Sequence, residues 1–97
     1  MQPETLDKVK QAIRRTHNKL DDDLRDEIES CLADLKMHGI VHKDDTDPLI
    51  LNAVKLWCKA ITTDDTVKAA EFNQRYIALR DHLKGAKGYG WEDGGDE

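Results

Sequence analysis

The chain is poor in cysteine, proline and aromatic residues, has no long hydrophobic run, and carries fewer bases than acids. Its two cysteines, Cys31 and Cys58, cannot make a disulfide framework. Both fall on apolar helical faces, so two buried thiols in a reducing cytosol are expected. No CxxC, HExxH or paired Cys/His spacing occurs. A metal site would have to be assembled from Cys31, His38 and His42, and the two histidines straddle Gly39, where a helix should stop. His17 and His82 stand alone, so no metal and no cofactor is expected. There is no Gly-rich phosphate loop and no nucleophile motif. The clustered acids look like a solvated face rather than a pocket that shifts a pKa, which argues against an enzyme. The start, MQPETLDK, is polar and acidic and unlike a secretion signal. The longest apolar stretch is too short and too interrupted by lysine to span a membrane. Fifteen Lys and Arg against twenty Asp and Glu give a net charge of −5. That balance opposes general nucleic-acid binding, which phosphate neutralisation drives, though it allows a local basic patch.

What is present is a soluble, helix-favouring mixture. Apolar residues make up 38% and charged residues 36% of 97 positions. One domain of this size folds around a small core, and a partner surface adds much to its stability. The stretch DPLILNAVKLWCKAIT, Asp47 to Thr62, organises the rest. Asp47 suits an N-cap and Pro48 a first helical position. At about 100° per residue, Asn52, Lys55 and Lys59 form one narrow polar arc, and everything else from Leu49 to Ile61 is apolar. Such a helix should be wrapped by neighbours on most sides.

Three further helices follow from periodicity. Residues 3–16 place Leu6, Val9, Ala12 and Ile13 at helical spacing, with Thr5 as the N-cap. Residues 21–38 gather Leu24, Ile28, Cys31 and Leu35 on one face, open with acids that favour the helix dipole, and end at Gly39 in a left-handed cap. From Thr66 to Lys84, Phe72, Tyr76, Leu79 and Leu83 line one face. A weaker strip of Val67, Ala70, Ile77 and Ala78 lies roughly opposite. Either both strips are core, or the second meets another subunit. The fold class expected is all-α: a small four-helix bundle over residues 1–84 and a flexible Gly-rich tail over 85–97. Its core would contain Leu24, Ile28, Leu35, Leu51, Val54, Trp57, Cys58, Ile61, Phe72, Tyr76, Leu79 and Leu83.

Charge is segregated along the chain. Lys8, Lys10, Arg14, Arg15 and Lys19 precede Asp21, Asp22, Asp23, Asp26, Glu27, Glu29 and Asp34. The two segments can pair within one molecule or between neighbours, and repeated head-to-tail pairing with closure makes a ring. Candidate interface residues are Lys8, Arg14, Arg15, Asp22, Asp26, Glu29, Val67, Ala70 and Ile77. A second reading makes Lys8, Lys10, Arg14 and Arg15 the contacts of a small nucleic-acid-binding regulator. In the tail, Tyr89 and Trp91 sit among too many glycines for a stable helix. Either they are incidental, or they mark a docking peptide that orders on binding.

The run TLDKVKQAIRRTHNKLDDDLRDEIESCLADLKMHGI, then DDTDPLILNAVKLWCKA and FNQRYIALRDHLKGAKGYG, resembles the head–tail connector proteins of long-tailed bacteriophages. These are also called head completion or DNA-packaging adaptor proteins. The likeness covers roughly Thr5 to Gly90, and it lies in the order, spacing and length of the parts rather than in any single motif. It implies a structural virion protein, present in the host cytoplasm during assembly. Its members form a homo-oligomeric ring, commonly twelve-fold, beneath the portal protein. The ring receives a stopper or tail-completion protein and lets DNA pass through its lumen without sequence-specific binding. The resemblance also implies a C-terminal segment that reaches the portal, here Gly85, Lys87, Gly88, Tyr89, Gly90 and Trp91. The acids from Asp21 to Glu29 become candidates to line the channel.

Overall fold

A computed structural model describes residues 1–13 and 21–90. Among them are four helices and no strand: α1 (Pro3–Ile13), α2 (Asp21–Met37), α3 (Pro48–Thr62) and α4 (Thr66–Lys84). None is long and apolar enough to cross a membrane. The architecture is the expected all-α bundle, and α3 lies at its centre, packed on α1, α2 and most extensively on α4.

The helix ends follow from local chemistry. The Asp47 carboxylate accepts from the N–H groups of Leu49 (3.0 Å) and Ile50 (3.3 Å), with Pro48 in the first turn. Asp65 does the same for α4, taking Val67 N–H at 2.9 Å and Lys68 N–H at 3.1 Å. At the end of α2, Gly39 adopts φ 88°, a conformation other residues resist. The Ile40 N–H then reaches the Leu35 carbonyl, and the Gly39 N–H that of Lys36. This is a Schellman closure, and Ile40 and Leu35 are buried in the same core.

The start of α1 differs from expectation. The helix begins at Pro3, so Thr5 lies inside it and is buried. Its hydroxyl donates to Asp45 at 2.5 Å, and the Gln2 N–H donates to the same carboxylate at 2.7 Å. Thus the start of α1 is held by a side chain forty residues away, in the loop before α3. Burial would raise the Asp45 carboxyl, but the bonds from Thr5 and Gln2 outweigh it and hold it below its ordinary value.

The core joins Leu6, Val9 and Ile13 of α1, Leu24, Ile28, Cys31 and Leu35 of α2, Ile50, Ala53, Val54 and Cys58 of α3, and Tyr76 and Leu83 of α4. Leu51 is buried beside them, while Trp57 and Leu79 are half-buried against this cluster. Two residues expected in the core lie elsewhere. Ile61, in the last turn of α3, is 39% exposed, on an edge that the described residues leave partly uncovered. Phe72 is half-buried outside the cluster and is covered by charge instead: the Lys59 ammonium and the Arg75 guanidinium stand 5.7 and 6.0 Å from its ring centroid. Nor is α3 wrapped as fully as its sequence suggests, since Leu49 is also exposed.

Asp47 holds both the α3 cap and, as described below, the residue that closes the chain over the bundle. Asp47→Ala should lower unfolding stability by about 1–2 kcal/mol. The control Asp64→Ala, at an exposed position, should change it by less than about 0.5 kcal/mol. Urea denaturation followed by circular dichroism distinguishes the two.

Candidate assembly surface

Three features at or just beneath the surface of the bundle are candidates to serve an assembly. The first joins α2 to α4. The Tyr76 hydroxyl donates to Asp34 Oδ2 at 2.6 Å, and Arg80 donates to the same oxygen at 3.1 Å. His38 Nδ1 lies 2.8 Å from the Asp34 carbonyl oxygen. Arg80 also stands over the Tyr76 ring, 5.7 Å from its centroid, and Tyr76 meets Trp57 edge-on at 5.3 Å. The Trp57 indole N–H donates to Glu27 at 3.1 Å. Burial by itself would raise the Asp34 carboxyl. The hydrogen bonds from Tyr76 and Arg80 and the nearby positive charges prevail and hold it below its ordinary 3.8. Burial raises the Tyr76 phenol, and the bond to Asp34 adds to it. Burial also pushes the Cys31 and Cys58 thiols up to about 12, so neither is a ready nucleophile or ligand. No group of three or more metal-ligating side chains comes together among the described residues.

The second feature is the chain after α4. Gly85 and Lys87 are exposed, and Gly88 turns the backbone at φ 91°. Tyr89 then returns to the bundle. Its carbonyl accepts from the Val41 N–H at 3.1 Å, and its hydroxyl reaches both Asp47 carboxylate oxygens, at 3.0 and 3.1 Å. The ring packs against the core, the Lys43 ammonium lies 5.9 Å from its centroid, and Gly90 is buried. The first part of the expected tail is therefore a clasp on the loop between α2 and α3. Trp91 lies outside the described residues.

The third feature is the outer face of α4. Val67 is 66% and Ile77 37% exposed, and Ala70 and Ala78 are exposed beside them. Thr66, Asn73 and Gln74 fill the same face, so a strip along most of α4 carries no charge. In a chain with 36% charged residues, a face meant only for water would look like that of α2, with its exposed Asp22, Asp26 and Glu29. The charges of the first two helices are already partly satisfied inside the molecule: Lys10 of α1 meets Asp21 of α2 at 3.0 Å, Arg25 meets Asp22 within α2 at 2.8 Å, and the Met1 amino group, ahead of α1, meets Glu29 at 3.6 Å. Lys8 and Asp26 are exposed, and Arg14 and Arg15 lie outside the described residues.

The family model for the phage connector protein matches residues 5–90. The chain belongs to that family. No curated protein and no solved structure matches it. As a phage connector it is a structural component of the virion that meets other head or tail proteins. The features that such a role uses are surfaces, not a catalytic pocket.

Sequence periodicity reached the α4 strip but missed Asp34 and Asp45. Asp34 follows Glu27 by seven residues, so the two share one flank of α2, and that spacing was the available signal. Nothing local marks Asp45 off from its neighbours Asp44 and Asp47.

The lowered Asp34 pKa sets the sign of a pH effect. Its contribution is present in full above the unfolded value, near 3.8, and is lost as pH falls below it. Asp34→Asn should cost on the order of 1–3 kcal/mol at neutral pH and should flatten the loss of stability below pH 4. Urea titrations across the acid range read both effects.

Proposed function

We propose that this connector forms a ring between the portal and the stopper or tail-completion protein of a long-tailed phage and extends the DNA channel there. The single observation that carries the ring is the uncharged, uncovered strip of α4, Val67, Ala70 and Ile77, on an otherwise heavily charged chain. A small domain with such a face gains stability by burying it against a copy of itself. The net charge of −5 suits a lumen through which DNA slides without sticking, and the exposed acids from Asp21 to Glu29 are candidates to line it. Copy number follows from the portal, commonly twelve. The chain meets its neighbours in the host cytoplasm and stays in the virion.

Docking to the portal falls to the C-terminal segment, from Gly85 through Trp91. The Tyr89 clasp refines this reading. Tyr89 and Gly90 anchor the segment on the connector's own body, and the contact with the portal falls to Trp91 and the acids after it. A nucleic-acid regulator built on the first helix finds less support, because Lys10 is already engaged by Asp21.

Native mass spectrometry of the connector, alone and mixed with its portal protein, tests the ring. A multi-copy assembly is expected in at least one sample, and Ile77→Asp should weaken it at least about tenfold, the cost of one buried aliphatic side chain. A monomer in both samples overturns the proposal.

A further inference from the structure

An open cleft of about 690 Å³ lies between the second half of α2 and the loop leading into α3. Leu32, Leu35, Ile40 and Ile50 form its apolar lining, with Val41 and Pro48 at the edge. Its charges are unevenly committed. Every acid along it has an internal partner: Glu29 the Met1 amino group, Asp44 the Thr46 hydroxyl and N–H, Asp45 the start of α1, and Asp47 the cap of α3 and Tyr89. Lys36, by contrast, is exposed and has no partner among the described residues, and Lys43 meets only the Tyr89 ring. The cleft thus presents aliphatic surface under available positive charge.

The α4 strip has the opposite character. Asp64 and Glu71 flank Val67, and both are exposed with no ion pair or hydrogen bond from their carboxylates among the described residues. The two surfaces also point apart. At about 100° per residue, Glu27 and Asp34 occupy one flank of α2 and Leu32 and Lys36 the other. The first flank holds Trp57 of α3 and Tyr76 of α4; the second lines the cleft. The strip faces away from α3 on the far side of α4. One molecule cannot bring its own strip to its own cleft.

We propose that the cleft receives the α4 strip of a second copy of this chain, with Val67 and its neighbours against Leu32 and Val41 and with Glu71 or Asp64 against Lys36. Two different patches on opposite sides make a head-to-tail contact, which propagates and closes into a ring rather than stopping at a dimer. The inference rests on the ring reading and assigns the faces that form it.

The test uses two half-blocked chains. Val67→Asp spoils the strip and leaves the cleft; Val41→Asp spoils the cleft edge and leaves the strip. Both positions are exposed, so both chains should fold, as circular dichroism checks. Each alone should associate at least about tenfold more weakly than the natural chain. Mixed, they should give a one-to-one heterodimer, because one intact contact remains. A disulfide pair gives a second readout that tolerates weak association: chains carrying Val41→Cys and Val67→Cys should crosslink when mixed, and neither should do so alone. If the natural chain forms oligomers but the mixture gives neither heterodimer nor crosslink, the pairing of faces is wrong and the ring stands. If the natural chain does not oligomerise and the mixed cysteine chains do not crosslink at any concentration, with or without the portal, ring and pairing fall together.

Discussion

Everything in this molecule depends on burying α3. A fifteen-residue helix whose only polar stripe is Asn52, Lys55 and Lys59 cannot stand in water. Each aliphatic side chain it hides is worth about 1.5–3 kcal/mol, and α1, α2 and α4 exist to hide them. Burial is not directional, however, and would accept several arrangements of three short helices around a fourth. The arrangement is selected by a few polar contacts at the periphery: Asp45 holds the start of α1, Glu27 holds Trp57, and Asp34 holds Tyr76 and Arg80. Each accepts hydrogen bonds from a distant part of the chain, and each would be costly to misplace.

The same constraint leaves surface over. Three helices cover most of α3 but not Leu49 or Ile61, and among the described residues α4 packs extensively on α3 alone, touching α2 through Tyr76 and Arg80, so Val67 and Ile77 on its far side stay exposed. The shortfall is a matter of size. A chain of this length buries a smaller share of its surface on folding than a larger domain does, and the uncovered remainder is where we propose that the connector meets its neighbours. In that sense the smallness of the core and the assembly role have a common cause.

How much of this could be read from residues alone varies with distance along the chain. Caps and stops were legible because their partners sit two to five residues away: Asp47 before Pro48, Gly39 after α2, and Asp65 among several capping residues before α4. Helical faces were legible for the same reason, since 3.6-residue spacing is local. Thr5 shows the limit. A threonine near a helix start signals a cap, yet here it donates to an aspartate forty residues away, and only the assembled bundle brings the two together. Tyr89 shows it again: a glycine-rich context suggested a free tail, whereas the hydroxyl finds Asp47 across the fold. The cleft was invisible for a further reason, because it is made by the space between α2 and a loop, and spacing patterns do not describe space.

The central claim is that the outer face of α4 is covered when the connector assembles. Cysteine labelling at Ile77 measures this directly, because the natural thiols at positions 31 and 58 are buried and raised to about 12 and will react slowly. An Ile77→Cys chain should be modified readily when free and protected by at least about tenfold once assembled on the portal. Equal reactivity in the two states would contradict the account.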